Sequence, residues 1–388
     1  MRKKTDILIL ARPDHSYTIY GGLLSEKLSF KYCSFKLMPL WLSRFIKNPR
    51  VRYYTENYSN CKLLTLFHIW RIKNNRDDLE KYEQTLFEFH LRRLLRRVLP
   101  TVIHYWPHYC HNKIKTYKRD HPDVKTYAEL YFPCELWLLE YMRPILKSFN
   151  LEEDKRLSLG VDKLRQVMEF EDNFIVPSPF MAEIYKKYYP NKNYVIIPYG
   201  VTLWSRYQKK QYKETSGEIR RFVYAGGGVT IQKGCDLMLD YFKEHSEIEL
   251  HIYGSVPQDQ KSIFNKYHQC SNIHFHGHVP KNKLQEEISK YDVGIHLSRY
   301  DAYSIAVGEI MGAGLPVIVS DKTGNFSIVE EKGAGSVAAL NLDDIHRAIS
   351  EIRLPHIYNK CVDKLDDYLL SNKDNYPENL IEFYKTCL

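Results

Sequence analysis

Between Ser298 and Ser320 the chain reads Ser-Arg-Tyr-Asp-Ala-Tyr-Ser-Ile-Ala-Val-Gly-Glu-Ile-Met-Gly-Ala-Gly-Leu-Pro-Val-Ile-Val-Ser, with carboxylates at Asp301 and Glu309. The change from polar to apolar residues near Ser304 predicts a helix start. Ala302, Tyr303, Ser304 and Ile305 would then turn backbone N–H groups outward at a helix N-terminus. Such a terminus carries partial positive charge and unpaired donors, and it suits a phosphate. Glu309 falls in the second turn of that helix, where its carboxylate can accept both hydroxyls of a ribose. Gly312, Gly314 and Pro316 make a tight exit into the next strand.

In the first half, His104 and His108 follow an apolar stretch that ends near the expected cleft. They are candidates for contact with an acceptor or a transferring group. His104, His108, Cys110 and His111 also cluster in sequence, but no second Cys/His pair stands at finger-like spacing, so zinc is not expected there.

These residues need strands that end beside them and helices that start beside them. Thr5–Leu10 reads as a short buried strand, followed by a loop with Gly21-Gly22 and helical spacing after it. Residues 75–99 carry the strongest helical pattern, closed by Pro100. Strands are expected over 101–106, 124–130, 173–176 and 194–197, with a helix over about 179–189. Residues 203–219 read as a linker. Alternation restarts with strands at 221–225, 249–254, 273–277, 293–297 and 316–320. Helices are expected near 236–242, 258–268, 281–290 and 304–313. The fold class is therefore α/β, with two doubly wound parallel sheets facing a central cleft. The expected division is 1–203, 204–365, and a C-terminal helix over 366–388 that packs back on the first domain.

The 388 residues are 44% hydrophobic and carry a formal net charge of +9. That apolar content supports sizeable cores and excludes wholesale disorder. No apolar run approaches the roughly 18–20 residues of a transmembrane helix, and Ile7–Leu10 is too short for a signal-peptide core. A cytoplasmic location is expected. The eight cysteines show no CxxC pair and read as free thiols in a reducing compartment. The charge is uneven, because residues 1–200 hold 34 basic and 22 acidic side chains. Residues 37–54 and the run His90–Arg97 mix arginine and lysine with apolar and aromatic residues. That mixture suits an anionic membrane surface, on which the chain would sit peripherally. Nucleic acid is not expected as a partner, since no helix-turn-helix, RNA-recognition or finger signature is present.

The segment Asp301…Glu309 followed by Gly314-Leu315-Pro316-Val317 resembles family 4 glycosyltransferases of the GT-B fold. The resemblance extends to Tyr224-Ala-Gly-Gly227-Gly228 and Lys233-Gly234, to Gly254, to Gly277-His278-Val279-Pro280, and to the strand ends Val176-Pro177-Ser178 and Ile197-Pro198-Tyr199-Gly200. It implies that Lys233, Gly227 and Gly228 meet a donor diphosphate, that the loops at Gly254, Gly277 and His278 fold around the nucleotide base, and that Gly22 approaches the phosphates. It implies that Asp301 holds sugar hydroxyls. The family often places a histidine where this chain has Glu129, which makes Glu129 a candidate base or sugar contact beside His104. The chain departs from the pattern with Asp301 for glutamate, Tyr303-Ser304 for Phe-Gly, and Gly228 where many members carry arginine.

The implied function is a retaining glycosyltransferase without a metal or other cofactor. It would move a sugar from a nucleoside-diphosphate sugar, with UDP favoured over GDP, to a saccharide or lipid-linked saccharide. O-antigen or capsular polysaccharide synthesis is the expected setting. The alternatives are a catalytically silent GT-B protein that binds a sugar or partner, and a basic nucleic-acid-binding protein.

Overall fold

The computed structural model describes residues 3–10, 28–33, 58–59, 66–67, 70–71, 73–74, 76, 79–152, 155–201, 218–371 and 376–388. Gly22, the basic stretch 37–54 and most of the expected linker lie outside them, as does the side chain of His108.

The strands are β1 (Lys3–Leu10), β2 (Phe30–Cys33), β3 (Tyr58–Ser59), β4 (Val98–Tyr105), β5 (Lys125–Glu129), β6 (Asn173–Val176), β7 (Asn193–Ile196), β8 (Arg221–Gly228), β9 (Glu249–Ser255), β10 (Ile273–Gly277), β11 (Val293–His296), β12 (Val317–Ser320) and β13 (Gly335–Ala338). They form two sheets, ordered β3-β2-β1-β4-β5-β6-β7 and β10-β9-β8-β11-β12-β13. Every pairing is parallel. Helices on both faces explain the unbroken apolar runs: all four residues of β11 are buried, as a strand covered on both sides requires. In each sheet the order reverses once, beside β1 and β4 and again beside β8 and β11. Crevices at such reversals are where open α/β sheets take ligands.

Two expectations shift in an instructive way. The helix expected over 75–99 is Glu80–Leu95, and β4 begins at Val98, so Pro100 lies inside a strand. Pro100 is opposite Thr5 of β1, while pairing with β5 starts only at Val102. A missing N–H is tolerated where one neighbour has not yet begun. The helix expected over 258–268 is instead a 3₁₀ turn, one α turn (Lys261–Phe264) and a second 3₁₀ turn (Asn265–Gln269). Phe264 and Tyr267 are both buried. They are three residues apart, and three residues per turn sets them directly in line on the buried side.

The chain ends in two helices with different hosts. Pro355–Ser371 sets Tyr358, Val362, Leu365 and Tyr368 into the cores of the second sheet. Tyr376–Cys387 sets Tyr376, Leu380, Ile381 and Tyr384 against Ile7, Ile9, Val102 and Ile175 of the first. The C-terminal helix thus closes a face of the N-terminal sheet. The sheets also meet near the residues singled out in sequence. Ser178 Oγ, the N-cap of helix Pro179–Tyr188, donates to Ala302 O at 2.8 Å. Tyr199 meets Tyr303 edge-on, with ring centroids 5.5 Å apart.

Candidate functional site

The site is built at the reversal beside β8 and β11. Three segments converge there: the turn after β8 (Gly226–Gly234), the end of β11 with Leu297–Asp301, and the start of helix Ile305–Gly312. The turn is held by glycine and by charge. Gly234 adopts φ +64°, and a Cβ there would stand 1.8 Å from Leu297 O, so no other residue fits the close approach. A Cβ on Gly254 would stand 2.7 Å from Gly226 O. The expected base loop after β9 is therefore glycine for the fold's own sake. Beneath the turn, Arg299 donates to both carboxylate oxygens of Asp236, at 2.6 and 2.7 Å, and to Ile231 O at 2.5 Å. Both side chains are buried. Neither was singled out in sequence, where Arg299 is one basic residue among many.

At the mouth of this turn, Lys233 Nζ donates to Asp301 Oδ2 at 2.6 Å. His296 Nε2 lies 3.6 Å from the same oxygen and 3.2 Å from Ser304 Oγ. The imidazole is buried and stacked 5.5 Å from Tyr224. Burial pushes the Asp301 carboxyl up, but the His296 contact and the Lys233 charge outweigh it and hold the group well below the usual carboxylate range. Burial lowers His296, against the pull of Asp301. Asp301 is therefore an anion, and His296 is a neutral ring that orients it. His296 reads in sequence as an ordinary strand residue; only its neighbours give it a task.

Ser304 caps helix Ile305–Gly312, accepting from Val307 N at 3.4 Å. The Ser304 N–H itself donates to Asn325 Oδ1 at 2.6 Å. One of the four expected phosphate donors is thus engaged within the protein, and the carbonyl of Ala302 receives Ser178. Ile305 is exposed at the first helical position, while Tyr303 is buried. Glu309 Oε1 pairs with Lys281 Nζ at 2.5 Å and is 22% exposed. Gly227 faces open space, and Gly228 ends β8 beside Thr230. Gly277 has φ +69°, and His278 beyond it is exposed. Arg299, committed to Asp236, does not stand in for the cation that Gly228 replaces.

Glu129 and His104 are brought together, but with other partners. Glu129 Oε1 accepts from Tyr199 Oη at 2.8 Å, and Oε2 accepts from Tyr376 Oη at 3.2 Å. His104 Nε2 lies 2.9 Å from Glu129 Oε2, and its Nδ1 is 2.5 Å from Tyr384 Oη. Both are enclosed, at 0% and 1% exposure, and Asp301 is not among their partners. The strand ends were expected to open on the cleft. The C-terminal helix covers them, which the local sequence does not announce. His111 is held by Pro107 O and Gln166 and does not join His104.

Glu135 was not singled out. It opens helix Glu135–Ser148, is buried, and leaves Oε2 without a hydrogen-bond partner among the described residues. Burial pushes its carboxyl up to about 7, against a smaller lowering by a backbone N–H. The folded state then binds a proton more tightly than the unfolded chain. Its stabilising contribution is complete below about pH 4.3 and is lost as pH rises through about 7, roughly 3 kcal/mol in all. Glu135→Gln is expected to remove this slope. Urea melts at pH 5 and pH 8 should show the variant gaining on the parent at the higher pH; parallel curves would refute the assignment.

Comparison with known proteins agrees with this architecture. Residues 208–354 match the family model described as "Glycosyl transferases group 1". The chain is 23% identical over 324 residues to a protein of Escherichia coli (strain K12) named "Putative colanic acid biosynthesis glycosyl transferase WcaC", covering 75% of each. Among solved structures it is similar to sucrose-phosphate synthase from Thermosynechococcus elongatus, with TM-score 0.65, 13% identity and 99% of each chain covered. It is equally similar to the lipopolysaccharide outer core galactosyltransferase WaaB, with TM-score 0.65, 12% identity, and 98% and 99% of the two chains covered. The overall fold is GT-B, and the stretch that carries Lys233, His296, Asp301 and Glu309 is the one similar to the glycosyl transferases group 1 family.

Proposed function

We propose that this chain transfers a sugar from a nucleoside-diphosphate sugar, preferably a UDP-sugar, to a hydroxyl of a saccharide acceptor, with retention of configuration, in the manner of family 4. The observation that carries the proposal is the Lys233–Asp301 contact at 2.6 Å, set beside neutral His296 at the reversal of the second sheet. A cation and an anion wait there for a ligand that bears both phosphate and hydroxyls. On donor binding, Lys233 turns to the diphosphate and Asp301 accepts from the sugar hydroxyls. Glu309 likewise exchanges Lys281 for the ribose diol. The N-terminus of helix Ile305–Gly312 adds its field to the phosphates.

Transfer breaks the bond between the anomeric carbon and the phosphate oxygen. It forms a bond from that carbon to the acceptor oxygen on the same face. The acceptor proton passes to the departing phosphate oxygen. Lys233 and the helix terminus stabilise charge as it builds on the leaving group, a task that needs no metal ion. Glu129 and His104 position the strand ends through the C-terminal helix and act on the substrate only indirectly.

The acceptor is proposed to be a lipid-linked saccharide of a bacterial envelope polysaccharide, as the names of WcaC and WaaB suggest by analogy. Among the described residues no helix is long and apolar enough to cross a membrane. Arg92, Arg93, Arg96 and Arg97 stand on and just after helix Glu80–Leu95, with Phe89 exposed beside them. This surface is proposed to rest on anionic lipid at the cytoplasmic face.

A thermal-shift series with UDP, GDP, ADP and their sugars should single out one nucleotide that raises Tm. Glu309→Ala is expected to weaken that nucleotide by about tenfold, the worth of roughly 1.4 kcal/mol from a charged hydrogen bond. No stabilisation by any nucleotide, or an unchanged affinity in Glu309→Ala, would count against the donor site.

A further inference from the structure

A second cluster of side chains lies on the outer edge of the second sheet, away from Lys233 and Asp301. Strand β10 is the last strand of that sheet, and it pairs with β9 so that His274 stands opposite His251. Side chains alternate along a strand. Leu250, Ile252, Ile273 and Phe275 therefore face the core, and Glu249, His251, His274 and His276 face the other way. The His251 ring stacks on His274 at 4.5 Å and on His276 at 5.3 Å. Three imidazoles and a carboxylate on neighbouring strands are poor material for a hydrophobic face. They are good material for a borderline-soft cation.

The distances agree. Glu249, His251 and His274 each bring one ligand atom to within 4.8 Å of the others. Glu249 Oε2 and His251 Nε2 are already 3.3 Å apart. A tetrahedral zinc ion with bonds of about 2.0–2.2 Å sets neighbouring ligand atoms about 3.4 Å apart. One pair thus stands at the required separation, and the others need a side-chain movement of at most about an ångström and a half. All three side chains are half-buried, so they have room to make it. The backbone fixes them on paired strands, which is a firmer support than a loop.

A further contact supplies what a ligating imidazole needs behind it. His251 Nδ1 lies 3.0 Å from His276 Nε2. With Nε2 turned to an ion, Nδ1 carries the ring proton and donates it to His276. A ligating histidine almost always donates its other N–H in this way, which fixes tautomer and ring angle.

We propose that Glu249, His251 and His274 form a transition-metal site of the zinc class, oriented by His276. The fourth position is left to water. Two imidazoles and one carboxylate favour zinc over magnesium or calcium, which take oxygen ligands. The ion ties the edge strand β10 to β9. It stabilises the strand that leads into Gly277 and takes no part in glycosyl transfer. Edge strands otherwise expose unpaired backbone groups, and a metal clip holds this one in register. The His104, His108, Cys110 and His111 cluster of the first half makes no such arrangement among the described side chains.

The test uses the full chain, stripped with a chelator and titrated with zinc chloride. One zinc ion per chain is expected, with a rise in Tm and no comparable effect of magnesium chloride. Cobalt(II) should give the ligand-field spectrum of a four-coordinate site without a thiolate charge-transfer band. The double variant His251→Ala, His274→Ala should lose both signals while its metal-free Tm stays near that of the metal-free parent. If that variant folds poorly, Glu249→Gln serves instead, and zinc affinity should still fall. His276→Ala should weaken zinc by about 10–100-fold and keep the cobalt spectrum, as an orienting residue does. Zinc bound with undiminished affinity by the double variant, a thiolate band, or no binding at micromolar zinc would overturn the site.

Discussion

Arg299→Ala is expected to destabilise the protein by about 3–5 kcal/mol, the usual cost of breaking a buried ion pair from one side. Arg299 is 7% exposed and Asp236 4%. The guanidinium donates to both Asp236 oxygens, so its removal strands that buried carboxylate, while Ile231 O keeps the Gly234 N–H at 3.0 Å. The loss falls on the turn that presents Lys233, so donor affinity should fall along with stability. The double variant Arg299→Met, Asp236→Leu should be closer to the parent than Arg299→Ala, because no charge is then stranded. Urea unfolding at pH 7 measures both. A loss below about 1 kcal/mol for Arg299→Ala would place the pair with ordinary surface bridges and remove it as the support of the turn.

Lys233→Ala is expected to lower kcat by about 10²–10³, the range seen when a donor that stabilises leaving-group charge is removed. The lysine meets Asp301 at 2.6 Å before any donor arrives, and it is 24% exposed, close enough to solvent to swing outward. Because the phosphate gains charge only as the glycosidic bond breaks, the effect should appear in kcat more than in KM. Lys233→Arg should recover part of the rate. The substitution also removes one of the groups that hold Asp301 down, so the acid limb of the pH–rate profile should move toward higher pH. Steady-state transfer or donor hydrolysis with the sugar nucleotide found by screening provides the readout. An unchanged kcat/KM would remove Lys233 from the donor site.

Much of the second half can be read directly from its residues. The strand ends, the glycine turns and the helix start at Ser304–Ile305 are local features, set by apolar runs, by positive φ at Gly234 and Gly277, and by a serine cap. The place of Glu309 in its helix marks it locally, whereas Lys233 and Asp301 are marked by the resemblance to family 4 glycosyltransferases. The partners these residues have acquired are less legible. Arg299 finds Asp236 sixty-three residues away. His296 becomes an orienting group only because β11 lies beside the turn after β8. Lys281 reaches Glu309 from another helix. Pairings at such separations depend on strand order, which alternation of strands and helices does not specify.

The first half shows the opposite balance. Its strands are apolar enough to read, but Glu129 and His104 gain their meaning from a helix some 250–280 residues later in the chain. A carboxylate at a strand end reads as a cleft residue. Tyr376 with Tyr199 converts it into a buried anchor, and Tyr384 does the same for His104. The three-histidine strip on β9 and β10 has the same lesson. His251 and His274 look like routine alternation until the register sets them opposite each other.

The uneven charge, with the positive excess in residues 1–200, is fixed by composition alone, and so are the α/β alternation and the small-residue turns. Burial, ion pairing and the assembly of distant side chains were decided only by the tertiary structure. Hydrophobic periodicity is a local property of the chain, whereas a pKa, a pair or a ligand set depends on which strands lie side by side.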